Sequence, residues 1–330
     1  MSVPSPYSIS RRDLLGAIAV AAGVGGVLGS TGCSVFRGKR LKLSVAPFQE
    51  LGGAVTVALQ TLTSVPEAAL SGARLGDSSA AIAQNLKTNH EAHLSALRKR
   101  LGSVAFVTPS EPAPVSDDAR AAVIERQRWV GEIAARRCVD LPLIDAGADS
   151  RLVDSVALFG SIVACQATHL VLLGEGNPKP SAGWGLPGDS RVQISTLQAA
   201  LSSEHATIYG YGALGAHLPD QQRDQALAAI TTHRDRRDSL AAAVTAQGHT
   251  AVSAESSYEL PHVIHDEREA RELAIRLEDS CGTYWRALLN QTTGGNRSVA
   301  LAALTDCAVQ ATRWRSRSGE RLPAVAFPGR

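Results

Sequence analysis

Apolar side chains recur along most of this chain at spacings of three and four residues, the spacing that gives a helix one apolar face. Eight segments carry this pattern, and glycine, proline or polar runs separate them. Each segment is long enough for several helical turns, so its apolar stripe must be buried against a neighbour. The pattern predicts an all-α protein with helices at 48–62, 78–102, 116–138, 149–174, 191–218, 219–248, 266–290 and 296–315.

The lengths of the connections predict how these helices are arranged. A Pro/Gly-rich linker at 175–190 separates two sets of four helices. In the second set, short turns join helix one to two and helix three to four, which makes those neighbours antiparallel. The segment 249–265 lies between helices two and three, and at about 3.3 Å per extended residue it can cross a whole helix. In the first set, the segment 103–115 can form a crossover in the same way.

A long crossover in the middle of four helices is the ferritin-like arrangement. We therefore expect two four-helix bundles, the second of them ferritin-like with a long crossover between its helices 2 and 3. The predicted domains are an N-terminal bundle at 48–174, a ferritin-like bundle at 191–316 and a C-terminal tail at 317–330.

Composition and charge exclude one class of partner. The chain has 330 residues, of which 44% are hydrophobic and 19% charged, and its net charge is +2. Arginine is interleaved with Asp and Glu, so no basic stripe follows a phosphate backbone. We expect no nucleic-acid partner.

The first 33 residues contain an arginine pair in "SRRDLLG", a Gly/Ala-rich apolar run and a cysteine in "STGCS". This order resembles a twin-arginine export signal followed by a lipoprotein cleavage site. The resemblance implies that Arg11 and Arg12 direct export, that Cys33 is lipidated and that 34–47 is a tether. Ser30 departs from the pattern, since such sites usually have Leu or Val there. The alternative is a chance arginine pair before a buried helix.

Four further cysteines form two similarly spaced pairs. Cys138 and Cys165 are 27 positions apart, Cys281 and Cys307 are 26 apart, and each pair straddles a predicted helical hairpin. Antiparallel helices bring residues equidistant from their turn to the same level, and an exported protein meets an oxidising compartment. We expect disulfides Cys138–Cys165 and Cys281–Cys307; the alternative is four reduced, buried cysteines.

Several stretches of the second half resemble a known group of proteins. These are "SSEHATIYGYGALGAHL", "HRDRRDSLAAAV", "YELP" and "LEDSCGTYW". They are similar to an uncharacterised ferritin-like domain family found mainly in actinobacteria, over roughly residues 190–320. The resemblance implies a four-helix fold and no established activity.

Glu204 lies on an otherwise apolar helical stripe, where a core residue is expected. Di-iron proteins of the ferritin-like group place a Glu on two helices and Glu-x-x-His on the other two. Glu204 and Glu278 match the single Glu positions, but His233 has Ile230 three residues before it, and Asp306 is not followed by His. These ligands are too few for two irons, so iron or another divalent metal is kept as an alternative cofactor only.

An ion pair is the leading explanation of the buried carboxylate. Arg237 and His233 share a stripe on the following helix, and arginine offers a carboxylate two hydrogen bonds. We expect a buried Glu204–Arg237 pair with His233 or Tyr211 beside it. The alternative is that the crossover leaves the helical face with Glu204 partly exposed to solvent.

The first half offers histidines as weak candidates for a metal site. His90 and His93 share one stripe and His169 lies near Cys165, although core histidines that only form hydrogen bonds are the more frequent case. The chain contains no nucleophile elbow, Walker loop or His-Glu-x-x-His motif.

The function expected from the sequence is that of an exported protein, lipid-anchored at the extracytoplasmic face of the cell membrane. There it acts as a binding or structural module for a protein or small-ligand partner. The alternative is a metal-dependent oxidoreductase or metal-storage protein, and whether the chain is an enzyme stays open.

Overall fold

The computed structural model describes residues 44–70, 78–109, 117–142, 154–176, 184–186 and 192–330. These residues belong to one compact unit, Lys42–Arg330. Helices, turns and irregular loops make up this part of the chain, which contains no strand, so the all-α prediction is confirmed. The eight α-helices of the described residues are α1 Ala46–Ser64, α2 Ser79–Leu101, α3 Ala119–Asp140, α4 Ser155–Leu172, α5 Ile194–Leu214, α6 Asp220–Ala246, α7 Glu267–Leu289 and α8 Gly294–Arg317.

The helices of both halves pair in the same way. In the first half α1 packs against α2, α3 against α4, and α1 against α3. In the second half α5 packs against α6, α7 against α8, and α5 against α7. The long connection between α6 and α7, residues 247–266, is the crossover that the sequence predicted.

In each half, a glutamine on the first helix binds the backbone of the crossover, the segment that follows the second helix. The Gln49 amide on α1 donates to Ala105 O (3.0 Å) in the segment after α2. On α5, the Gln198 amide donates to Thr250 O (2.7 Å) and accepts from the Val252 N–H (2.9 Å). These bonds satisfy backbone groups of chain that lacks its own secondary structure.

The two predicted bundles share a hydrophobic core. Helix α4 packs against α8, and one cluster of buried side chains includes Phe48, Phe159, Trp285 and Leu304. Within the described residues, α4 is the helix apolar and long enough to cross a membrane, but 89% of it is buried inside the protein. Burial on every side, rather than lipid, accounts for its composition.

The predicted C-terminal tail packs on the first half of the chain. Asn85 on α2 forms two hydrogen bonds with the Ala324 backbone, from Nδ2 to O (2.8 Å) and from N to Oδ1 (2.9 Å). Asn89 Nδ2 also donates to Ala324 O (3.1 Å), and His93 Nε2 lies 2.7 Å from Ala326 O. We call residues 318–330 the C-terminal strap.

Candidate functional site

The centre of the second half contains a closed set of polar side chains around Glu204, which is 0% exposed. His233 Nδ1 lies 2.6 Å from Glu204 Oε2. Trp285 Nε1 donates to Glu204 Oε1 at 2.6 Å, and the Cys281 thiol donates to the same oxygen at 3.3 Å. Both carboxylate oxygens are therefore engaged by protein groups.

His233 connects this carboxylate to a second one. Its Nε2 lies 3.3 Å from Glu278 Oε1, which also accepts the Tyr211 hydroxyl at 2.6 Å. Trp314 Nε1 in turn donates to the Tyr211 oxygen at 3.0 Å. Glu278 Oε2 is buried and has no hydrogen-bond partner. The Glu204 cluster consists of Glu204, Tyr211, His233, Glu278, Cys281, Trp285 and Trp314.

The charges of the cluster follow from burial and pairing. Burial by itself raises the pKa of Glu204, but His233, Arg236 and the Trp285 bond outweigh it, so the pKa lies below its ordinary value. Burial lowers the pKa of His233, yet Glu204 and Glu278 raise it well above its ordinary value. Glu204 and His233 thus form a carboxylate–imidazolium pair.

The predicted Glu204–Arg237 pair is wrong. Arg237 is partly exposed and pairs with its neighbour Asp238 (2.7 Å). The buried cation is Arg236, which is 0% exposed and bonds Asp306 Oδ2 (2.5 Å) and Cys307 Sγ (3.4 Å). Both arginines follow His233 by about one turn, so spacing alone did not separate them.

Among the described residues, Cys138, Cys165, Cys281 and Cys307 are buried free thiols, so the two predicted disulfides are absent. Cys281 and Cys307 are neighbours joined by a thiol–thiol hydrogen bond. The Cys138 thiol donates to Val156 O at 3.5 Å and is not bonded to Cys165. Burial raises the pKa of Cys281, and the bond to Cys281 together with burial raises that of Cys307, so both stay protonated thiols.

An iron pair does not fit these residues. Only one imidazole, His233, lies in the cluster, and no Glu-x-x-His is present on α6 or α8. Arg236 adds a buried cation beside it. A single ion fits better, because ligand atoms of Glu204, His233 and Cys281 lie within 4.8 Å of one another. An oxygen, nitrogen and sulfur set suits a borderline ion such as Zn²⁺.

The histidines of the first half bind protein groups. His90 Nε2 and His169 Nδ1 both lie near Gln127 Oε1, at 3.0 and 2.9 Å. His93 contacts the C-terminal strap. Burial lowers the pKa of His90 to about 3 and that of His93 to about 4, so both rings are neutral.

Sequence reasoning identified Glu204, Tyr211, His233 and Glu278, and the structure brings these four together. It missed Trp285 and Arg236, and it assigned Cys281 to a disulfide only. On α7, positions 278, 281 and 285 follow helical spacing, which was a usable signal. The predicted export residues Arg11, Arg12 and Cys33 lie outside the described residues.

Comparisons with known proteins cover the second half of the chain. Residues 196–330 match the family described as a domain of unknown function (DUF4439), which belongs to the ferritin-like fold group. The chain is similar to a conserved hypothetical protein from Mycobacterium tuberculosis whose crystal structure is known. Identity is 38%, the match covers 38% of this chain and 89% of that chain, and the TM-score is 0.37. No curated protein matches the chain.

Proposed function

Residues 196–330 of this chain match the DUF4439 family, and from this premise we propose that the protein is an exported cell-envelope protein serving as a binding or structural module. The description of the family names no activity, so the proposal depends on the residues of this chain. Its main support is that both oxygens of Glu204, the carboxylate at the ferritin-like ligand position, are saturated by His233, Trp285 and Cys281.

The buried bonds favour a structural role for the Glu204 cluster. A buried charge is costly unless it is paired and hydrogen-bonded, and here the imidazolium lies between two carboxylates. A metal entering this site would have to displace the indole and imidazole donors of Trp285 and His233. The cluster therefore fixes α5, α6, α7 and α8 relative to one another.

Export and anchoring follow from the sequence of the first 33 residues. Arg11 and Arg12 precede an apolar run, and Cys33 follows it, in the order that a signal and lipidation site require. The protein would then lie at the extracytoplasmic face of the membrane and be held there by its lipid.

A second candidate function is binding of one metal ion, for storage or for redox chemistry. The observation that favours it is the grouping of Glu204, His233 and Cys281. A metal ligand must be deprotonated, and both His233 and Cys281 have raised pKa values. A metal would compete with two protons here, so its affinity would rise steeply with pH.

One experiment with two readouts tests these proposals. Cells producing the wild type, an Arg11→Lys/Arg12→Lys variant and an Arg37→Lys control are fractionated. Mature protein is purified without an affinity tag, and its metal content is measured. We expect envelope protein with well below one metal ion per chain, cytoplasmic precursor for the double variant, and normal export of the control.

Each readout can contradict one part of the proposal. Normal envelope levels of the double variant would refute export through the arginine pair. One equivalent of metal, lost in Glu204→Ala but kept in the exposed control Glu91→Gln, would establish the metal-binding candidate instead.

A further inference from the structure

A cleft separate from the Glu204 cluster lies where α2, the start of α4, α7 and the C-terminal strap meet. Its volume is about 240 Å³. Ligand pockets for drug-sized molecules measure about 300–1,000 Å³, so this space suits a small group. The lining residues are Ala92, Ser95, Ala96, Lys99, Arg100, Asp154, Leu158, Arg286, Phe327 and Arg330.

Positive charge dominates the cleft. Four of its lining residues have cationic side chains, and Asp154 is the only lining residue with a carboxylate side chain. Asp154 is already engaged, because Arg286 Nη2 bonds its Oδ2 (2.7 Å) and the Asn290 amide donates to its Oδ1 (3.1 Å). The remaining three cations, Lys99, Arg100 and Arg330, form no ion pair with described residues.

Arg100 is held in an unfavourable position for a cation. Its Nη1 donates to Ala96 O (3.3 Å), but its Nε is buried and has no hydrogen-bond partner. Burial lowers the pKa of Arg100 below its ordinary value. The charge of Asp154 raises this pKa, whereas the charges of Arg330 and Arg286 lower it further. An anion in the cleft would relieve this repulsion and accept the free N–H.

We propose that this cleft binds a phosphate group through Lys99, Arg100 and Arg330. A phosphate carries up to two charges and several acceptor oxygens, and guanidinium groups pair with it through parallel N–H bonds. The positive end of the α4 dipole adds to the attraction, since Asp154 is the N-cap residue of that helix. Leu158 and Phe327 form an apolar wall on which a short organic substituent of the phosphate can pack.

The proposal is independent of export and of the Glu204 cluster, because none of the lining residues belongs to either. If the cleft does not bind phosphate, the expected metal content and localisation of the protein are unaffected. If the proposed export or the metal content proves wrong, the expected phosphate binding is unaffected. A small phosphate ester and the headgroup of an anionic lipid share the required chemistry, so the test has an arm for each.

The test uses the full chain carrying Cys33→Ser, which cannot be lipidated. Binding of inorganic phosphate and of glycerol phosphate is measured by calorimetry at constant ionic strength, with chloride as the reference anion. We expect Lys99→Gln/Arg100→Gln to weaken binding at least fivefold. The control Lys87→Gln removes an exposed charge from the same helix and should leave affinity within twofold.

Vesicles of phosphatidylglycerol, compared with vesicles of phosphatidylcholine, form the lipid arm. Vesicle binding that is lost in the double variant would identify a lipid headgroup, whereas binding of the soluble esters alone would identify a free phosphate compound. If the double variant does not fold, the single variant at exposed Lys99 replaces it, with partial loss expected. Absence of any phosphate-specific binding, or equal affinity in variant and control, would overturn the proposal.

Discussion

At the scale of single residues, two adjacent arginines have opposite environments. Arg236 is fully buried, bonds Asp306 and lies over the Trp184 ring at 4.3 Å. Arg237 next to it has a side chain that is 30% exposed, and its ion pair with Asp238 lies at the surface. Breaking a buried ion pair lowers the free energy of unfolding several-fold more than breaking a surface ion pair. Substituting Arg236 and Arg237 separately therefore tests the structure directly.

We predict that Arg236→Met lowers the free energy of unfolding by about 3–5 kcal/mol, because Asp306 loses its buried cationic partner. Arg237→Met should change it by less than about 0.5 kcal/mol. The double change Arg236→Met/Asp306→Asn should be milder than Arg236→Met. Chemical denaturation in metal-free buffer measures all three. A larger loss for Arg237→Met than for Arg236→Met would mean that the sequence-based pairing was right.

At the scale of elements, the first helix of each half meets its neighbours through glycine. A Cβ at Gly52 would lie 2.1 Å from the Phe106 ring, and a Cβ at Gly53 would lie 2.1 Å from Val107 O in the crossover. On α5, a Cβ at Gly210 would lie 2.6 Å from the Leu277 side chain on α7. These positions lack a side chain because another element passes there.

We predict opposite signs for two glycine-to-alanine changes. Gly53→Ala should destabilise the protein, since its Cβ meets backbone that cannot move without displacing the crossover. Gly212→Ala on α5 has nothing within 4 Å and should stabilise by about 0.5–1 kcal/mol through helix propensity. Thermal melts of both variants decide the point. Stabilisation by Gly53→Ala would show that the crossover does not pass over α1.

At the scale of the whole molecule, the two halves depend on each other. Arg297 on α8 is 0% exposed, and its guanidinium donates to carbonyls at the end of α3, including Cys138 O at 2.9 Å. The C-terminal strap lies against α2 and α4, where Ser161 donates to Pro328 O at 2.8 Å. The family match at 196–330 therefore includes residues whose partners lie outside it.

We predict that Asn85→Ala, in the first half, loosens the C-terminal end of the second. It removes two buried hydrogen bonds to Ala324 and should cost about 2–4 kcal/mol. The strap should become sensitive to trypsin at exposed Arg321. Limited proteolysis with mass spectrometry measures this, with exposed Thr88→Ala as control. Unchanged cleavage at Arg321 would mean that Asn85 does not hold the strap.

The local pattern of the sequence determined the helices and their pairing. All eight predicted helices are present, since an apolar stripe at helical spacing is a property of neighbouring residues. Connection lengths likewise determined the crossover between α6 and α7. The inward position of Glu204 and His233 was also predictable, because both lie on core-facing stripes.

Only the tertiary structure decided which polar groups meet. Arg236 and Arg237 differ by about 100° around one helix, and only the three-dimensional arrangement of the helices places the first of them inward, where it pairs with Asp306 of α8. The Cys281 thiol donates to Glu204 and Cys307 Sγ accepts from Arg236, with no disulfide between the two cysteines. Asn85 binds backbone 239 positions away in the chain. Such contacts depend on how packed helices are rotated and on which distant segments of the chain come together. A periodic pattern determines only which side of a helix faces the core.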